Sequence, residues 1–144
     1  MTRTIVIFLL LIVSLLSACK STATTTPAVE VVGQQISVPG GSYTDVTVSE
    51  LQTMLANKDF TFVNVHIPFE GDIANTDLSI AYNEIAQNQE QLPGDKNAKI
   101  VLYCRSDRMS RIAAETLVNL GYTNVWNLDG GMVAWEQAGL PLER

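Results

Sequence analysis

Cysteine and histidine are scarce in this chain of 144 residues, which carries two cysteines and a single histidine. A structural zinc site takes four such ligands, so we expect no metal, and no motif suggests an organic cofactor. Basic residues are also in the minority, with 9 Lys and Arg against 15 Asp and Glu and a net charge of −6. Because nucleic-acid binding depends on positive charge, we expect no nucleic-acid partner.

The longest apolar run lies at the N terminus, where residues 5–13 follow Arg3. The run is short for a membrane span and typical of a signal peptide. It ends in Leu-Ser-Ala directly before Cys19, which resembles the lipobox of bacterial lipoproteins. The resemblance implies that residues 1–18 are a lipoprotein signal peptide and that Cys19 is acylated. The protein would then be exported and lipid-anchored in the bacterial cell envelope, on the periplasmic or extracellular side. An ordinary secretory signal and an uncleaved anchor are the alternatives.

Residues 19–35 are mostly small and polar and predict a flexible tether between the lipid on Cys19 and a domain that occupies residues 36–144. If Cys19 carries a lipid, Cys104 is left alone and no disulfide can form within the mature chain. An unpaired cysteine in an exported protein indicates a reactive thiol.

The sequence around Cys104 predicts a strand, a polar loop and a helix. The run Ile100–Tyr103 is short, apolar and β-branched, which favours a buried strand. After the loop, apolar residues recur at helical spacing, and Gly121 is expected to end the helix. The predicted buried face consists of Ile112, Ala113, Thr116, Leu117 and Leu120. Cys104 therefore lies where a strand ends and a helix is about to begin.

This position favours the ionised form of the Cys104 thiol. The first-turn N–H groups of a helix have no partner within the helix and attract an anion. Arg105, Arg108 and Arg111 add positive charge nearby. The thiolate is the reactive form of cysteine, so Cys104 is a candidate nucleophile. The alternative is a small buried hydrophobic residue at a strand end, which would not need the arginines.

Strands alternate with helices in the second half of the chain, which indicates an α/β fold with a parallel sheet and helices on both faces. Thr47 to Glu50 has the spacing of a helix capping box. Further predicted elements are strands at 36–38, 59–65 and 124–128 and helices at 48–57, 132–137 and, more briefly, within 78–92. The strand at 59–65 delivers His66 at its end. Ligands bind beyond the carboxyl ends of such strands, so His66 and Cys104 mark one candidate site.

Several motifs in this order resemble the single-domain rhodanese family. They are Cys104-Arg105-Ser106 after an apolar strand, 121-GYTNV-125 followed by 128-LDGGMVAW-135, and Gly139-Leu140-Pro141. The resemblance covers residues 36–142. It implies the rhodanese-like α/β fold with a small parallel sheet, and we expect a monomer.

The resemblance also implies a sulfurtransferase. The Cys104 thiolate would take the outer sulfur of a small anionic donor such as thiosulfate and become a persulfide, and would then pass that sulfur to a thiol or to cyanide. Backbone amides of the loop would hold the persulfide, and Arg105 and Arg108 would attract the donor. This anion-binding loop comprises Arg105, Ser106, Asp107, Arg108, Met109 and Ser110.

Three positions depart from the family pattern. Asp107 replaces a usual Gly and is expected to put a carboxylate beside the anion site. Glycine adopts a positive φ at no cost, and Asp tolerates a positive φ at a modest cost. Met109 replaces a frequent Arg, and His66 follows Asn64-Val65 where the family usually has Asp-Val-Arg. His66 is therefore a candidate pocket residue, or else a strand-end histidine in ordinary hydrogen bonds. Glu70 is a candidate pocket carboxylate, or else a solvated or helix-capping residue.

Three other functions stay open. A phosphatase or arsenate reductase of related fold needs Arg at the sixth position after the cysteine, whereas Ser110 is sixth and Arg111 is seventh. A Cys–His hydrolase would pair His66 with Cys104, but no third residue to orient His66 is evident. A lipid-tethered, catalytically weak binding module is indicated by Asp107 and by the absence of Arg at 109.

Overall fold

The computed structural model describes residues 30–144. The predicted signal peptide, the lipidation site Cys19 and most of the predicted tether lie outside the described residues, and these assignments stay predictions. Within the described part, no helix is long and apolar enough to cross a membrane. The elements are β1 Gln34–Val38, β2 Gly41–Val46, α1 Val48–Ala56, β3 Thr61–Asn64, β4 Leu78–Ser79, a 3-10 turn Gln89–Gln91, β5 Ile100–Tyr103, α2 Arg108–Asn119, β6 Val125–Leu128 and α3 Gly131–Gln137.

The strands form one sheet in the order β1-β2-β6-β5-β3-β4. Every neighbouring pair from β2 to β4 is parallel, as predicted. The edge pair β1–β2 is antiparallel, so the prediction of a purely parallel sheet is wrong there. The two strands are joined by the turn at Pro39 and Gly40, and so short a connection permits only an antiparallel hairpin.

The sheet has a separate hydrophobic core on each face. Along β5, Ile100 and Leu102 pack with the residues of α2, whereas Val101 and Tyr103 pack with those of α1 and α3. This alternation follows from the period of two along a strand. The central strand is buried on both faces, which is why its sequence is apolar throughout. Trp135 of α3 is 5% exposed and belongs to the core on the α1 and α3 face.

One local prediction is wrong, and another holds only in part. Ile112 is 41% exposed instead of facing the core. The buried face of α2 is rotated relative to the prediction and consists of Ser110, Ala113, Ala114, Leu117 and Val118. The short helix predicted within 78–92 is present as the 3-10 turn Gln89–Gln91, but the segment begins with the edge strand β4. Backbone hydrogen bonds to β3, including Ile80 N to Asn64 O at 2.9 Å, hold it to the sheet. A weak local helix pattern gives way to pairing with an available sheet edge.

Candidate active site around Cys104

Parallel strands bring Cys104 and His66 to the same edge of the sheet. β3 and β5 are neighbours, with Asn64 opposite Tyr103. The pairing continues past the strand ends, since Val65 N donates to Tyr103 O at 2.9 Å. The residues that follow the two strands therefore meet beyond their carboxyl ends. Cys104 itself is only 2% exposed.

A cavity of about 250 Å³ lies at this edge. Six of the residues predicted for the site line it: His66, Cys104, Arg105, Ser106, Arg108 and Met109. The cavity is smaller than the usual range for drug-sized ligands, so it fits a small molecule or the end of a longer one. Three further predicted residues, Glu70, Asp107 and Ser110, do not line the cavity and act on it through other contacts.

Ser110 is the residue that contacts the Cys104 sulfur directly. It lies fully buried in the first turn of α2, with its Oγ 3.3 Å from Cys104 Sγ and 3.0 Å from the carbonyl oxygen of Asp107. When the hydroxyl donates a hydrogen bond to the sulfur, it stabilises the thiolate relative to the neutral thiol. The prediction placed Ser110 in the anion-binding loop through its backbone amide, whereas the structure adds a side-chain contact.

Asp107 faces away from the cavity, contrary to expectation. Its backbone has a φ of +83°, and it precedes α2 without capping the helix through its side chain. The carboxylate oxygen Oδ1 accepts a hydrogen bond from Gly130 N at 2.8 Å. The same atom lies 4.0 Å from Arg111 Nε. The carboxylate thus ties the Cys104 loop to the turn before α3, and the expectation of a negative charge on the cavity wall is wrong.

Arg111 does not contribute an unpaired positive charge to the site. Its Nη2 lies 2.9 Å from Asp129 Oδ1 and 3.4 Å from Asp45 Oδ2, in addition to its contact with Asp107. Burial raises the pKa of Asp45, against the opposing effects of a hydrogen bond from Asn127 Nδ2 at 2.8 Å and of the Arg111 charge. The Arg111 guanidinium is therefore held by three aspartates.

His66, Glu70 and Arg105 form a chain of contacts beside the cavity. The His66 side chain is 7% exposed, and its Nε2 lies 3.6 Å from Glu70 Oε1. Within residues 30–144, neither ring nitrogen of His66 has a hydrogen-bond partner. Glu70 Oε2 accepts a short hydrogen bond from Arg105 Nη1, and this bond holds the pKa of Glu70 below its usual range. Glu70 is thus ion-paired to the Cys104 loop, and its side chain remains 39% exposed to solvent.

The N terminus of α3 packs directly against the backbone of the Cys104 loop. Met132 N donates to Cys104 O at 2.9 Å, and Val133 N donates to Arg105 O at 3.0 Å. Gly131 has a φ of +55°, and a Cβ atom there would lie 2.3 Å from Cys104 O. Only glycine permits this approach. This contact was not predicted, although two adjacent glycines before a helix are a visible signal for it.

The site is thus a cysteine at the carboxyl end of a central parallel strand, followed by a basic loop and a helix that no side chain caps. Within the described residues, no group of three or more His, Cys, Asp or Glu side chains could hold a metal ion. Such an arrangement suits nucleophilic cysteine chemistry on a small substrate. The class of protein that the fold and site define is therefore a single-domain α/β protein with a candidate cysteine nucleophile.

The chain belongs to the rhodanese-like domain family, whose model matches residues 47–138. A sulfurtransferase of Allochromatium vinosum is 33% identical over 94 residues, which cover 63% of this chain and 85% of that protein. The thiosulfate sulfurtransferase GlpE of Vibrio cholerae is 30% identical over 100 residues, covering 68% and 92%. An uncharacterized protein of Synechocystis is 33% identical over 102 residues, which span 68% of this chain but only 56% of that protein.

Solved structures of rhodanese-like proteins share the fold. A rhodanese-related protein of Thermoplasma volcanium has a TM-score of 0.58 at 29% identity, covering 68% of this chain and 95% of the other. A rhodanese-like domain protein of Staphylococcus aureus has a TM-score of 0.57 at 28% identity, covering 69% and 98%. The predicted rhodanese-like α/β fold is confirmed.

Proposed function

We propose that this chain is a sulfurtransferase that carries sulfane sulfur on Cys104. The arrangement of Cys104 on the cavity wall, with the Ser110 hydroxyl at 3.3 Å from its sulfur, carries the proposal. Relatives named as sulfurtransferases at about a third identity support the same reaction class. The physiological donor and acceptor are small molecules or thiols that reach a cavity of about 250 Å³.

The reaction has two displacement steps. With thiosulfate, the Cys104 thiolate attacks the outer sulfur, the donor S–S bond breaks and sulfite leaves with the bonding electrons. Cys104 then carries a persulfide anion, which Ser110 and the first-turn amides of α2 stabilise by donating hydrogen bonds. In the second step a thiolate or cyanide attacks the outer sulfur, and the Cys104 thiolate is released. Charge and atoms balance in both steps without a cofactor.

The rival cysteine chemistries have less support. A phosphatase would need an arginine free to close on the oxyanion, but Arg111 is held by Asp45, Asp107 and Asp129. A Cys–His hydrolase needs a hydrogen-bonded His66, yet the ring nitrogens have no such partner in the described part of the chain. A catalytically weak binding module is the outcome if the assay below shows no turnover.

Export and lipidation at Cys19 form a separate part of the proposal, supported by the lipobox-like sequence. Wild-type protein from a bacterial host should partition into the detergent-rich phase, and Cys19→Ala should shift it to the aqueous phase. Wild type in the aqueous phase contradicts the lipid anchor without touching the proposed chemistry.

A turnover assay tests the proposed chemistry. Wild-type protein should release sulfite from thiosulfate in the presence of cyanide, or form a new persulfide when an alkyl persulfide and a thiol are supplied. Cys104→Ser should lose this activity completely, since an alcohol has no accessible anion at neutral pH, while thermal unfolding stays close to that of wild type. Retained activity in Cys104→Ser contradicts the persulfide mechanism. No activity of the wild type with either donor favours the binding module.

A further inference from the structure

The wall of the Cys104 cavity carries little net charge. Arg105 is neutralised by its ion pair with Glu70. Arg111 is held by three aspartates away from the cavity, and Asp107 faces Gly130. Of the arginines that line the cavity, Arg108 alone has no ion-pair partner within residues 30–144. His66 adds charge only when protonated. A small dianion would therefore meet a wall with about one uncompensated positive charge.

Exposed apolar side chains also follow His66 in the chain, and one apolar side chain lines the cavity. Met109 lines it, where an arginine would otherwise add charge. In the segment that follows His66, Ile67 is 38% exposed and Phe69 is 61% exposed. Exposed apolar side chains beside a reactive group provide a binding surface for the hydrocarbon part of a ligand. Thiosulfate has no such part, whereas an organic persulfide does.

We infer that the sulfur donor of this protein is an organic persulfide with no more than one negative charge near the reacting sulfur, and that Glu70 sets this preference over thiosulfate. The inference rests on the sulfurtransferase function proposed above. Glu70 acts as a specificity determinant because its carboxylate cancels the Arg105 charge at the mouth of the cavity. The organic group of the donor would lie over Met109, Ile67 and Phe69.

The corresponding step balances without a further reactant. The Cys104 thiolate attacks the outer sulfur of R–S–SH, the S–S bond breaks, and R–S⁻ leaves with the bonding electrons and takes a proton from water. The outer sulfur, with its proton, stays on Cys104 as the persulfide. Thiosulfate would undergo the same displacement with sulfite as the leaving group, so both donors report on the same cysteine.

The experiment compares two donors on the full-length protein purified in detergent. The rate at which Cys104 gains sulfur is measured by mass spectrometry with thiosulfate and with the persulfide of 2-mercaptoethanol. Each rate is divided by that of the same donor with a free thiol in solution. Wild type should favour the persulfide. Glu70→Gln leaves Arg105 unpaired, so it should shift the preference toward thiosulfate by roughly three- to tenfold, and added salt should reduce the shift.

Three further variants make the test specific. Arg105→Gln should shift the preference in the opposite direction, because it leaves Glu70 unpaired. The double variant Glu70→Gln/Arg105→Gln restores the charge balance and should return to the wild-type preference. Glu136→Gln is a matched control: Glu136 pairs with Arg144 at 2.8 Å and is exposed to a similar degree, 41% against 39% for Glu70. It should leave the preference unchanged.

The inference is overturned if wild type favours thiosulfate, or if Glu70→Gln and Arg105→Gln leave the preference unchanged while Cys104 still gains sulfur. In those cases the sulfurtransferase function stands. Absence of sulfur on wild-type Cys104 with both donors contradicts the proposed function and this inference together.

Discussion

The two longer helices of this domain begin in opposite ways. At the start of α1, Thr47 accepts a hydrogen bond from Glu50 N at 3.3 Å, and the Glu50 carboxylate accepts one from Thr47 N at 2.9 Å. At the start of α2, Asp107 forms no such cap and instead binds Gly130 N. The α1 start satisfies its own amides, whereas the α2 start leaves amides available beside Cys104. The start of α2 is therefore less stable locally than a capped helix start, but its amides can bind an anion.

The α1 start is also tied to the edge of the sheet. Glu50 Oε1 accepts hydrogen bonds from Gly33 N at 2.9 Å and Val32 N at 3.1 Å. Partial burial acts to raise the pKa of Glu50, but the hydrogen bonds from Thr47, Gly33 and Val32 outweigh it and lower the pKa to about 2. One carboxylate therefore joins the start of α1 to Val32 and Gly33 before β1. At α2, the Asp107 carboxylate instead contacts a turn that is distant in sequence.

The largest effect is expected for Gly131→Ala, which separates the α2 start from the turn that supports it. The new Cβ would lie 2.3 Å from Cys104 O and 2.8 Å from Arg105 O, at a φ of +55°. Strain and overpacking together should cost on the order of 3 kcal/mol of unfolding free energy, measured by urea denaturation. Sulfur loading of Cys104 should fall as well, because the loop must shift.

Gly94→Ala is the control for this substitution, since a Cβ there would meet no atom within 4 Å. It should change stability by less than about 0.5 kcal/mol. If Gly131→Ala behaves like Gly94→Ala, the loop is not held by its contact with α3, and this part of the comparison fails.

Asp107→Ala should have the second largest effect. It removes the hydrogen bond to Gly130 N and places alanine at a φ of +83°, which should together cost about 2 kcal/mol. Asp107→Gly loses the same bond but relieves the backbone, so it should cost less than alanine in the same denaturation experiment. A rise in stability in Asp107→Ala would show that the carboxylate strains the loop instead of holding it.

Glu50→Gln should have the smallest effect and should act on α1 alone. The loss of charged hydrogen bonds should cost about 1 kcal/mol at neutral pH, with sulfur loading unchanged. Since the folded-state pKa of Glu50 is lowered from 4.5 to about 2, its stabilisation is present above about pH 4.5 and is lost as the pH falls toward 2. The stabilities of the two proteins, measured against pH, should converge in that range. A constant difference would mean that the charge is not responsible.

Much of the site could be predicted because its signals are local. The apolar strand before Cys104, the capping box at Thr47 and the strand that delivers His66 all lie within a few residues of the features they predict. The parts that were missed join distant segments: Asp107 binds Gly130, 23 residues away, and Arg111 contacts Asp45, 66 residues away. The charge state of the cavity depends on these contacts, so counting nearby arginines overestimated its positive charge.

At the sheet edges, too, the structure depends on contacts between segments and not on a local sequence pattern. The hairpin β1–β2 and the short strand β4 are defined by the neighbours they pair with, and a two-residue strand such as Leu78–Ser79 carries no periodicity of its own. The central strand β5 was predicted because burial on both faces makes it a continuous apolar run, and its neighbours β3 and β6 are apolar except for Thr61, Asn64 and Asn127.

The most direct measurement is the mass of the Cys104 peptide after the purified protein has been treated with an alkyl persulfide or thiosulfate and digested without reductant. The account predicts a gain of one sulfur atom on that peptide, reversed when a thiol acceptor is added and absent in Cys104→Ser. Peptide mapping separates this from any reaction at Cys19. A Cys104 peptide that stays unmodified with both donors, while the protein remains folded, would contradict the account.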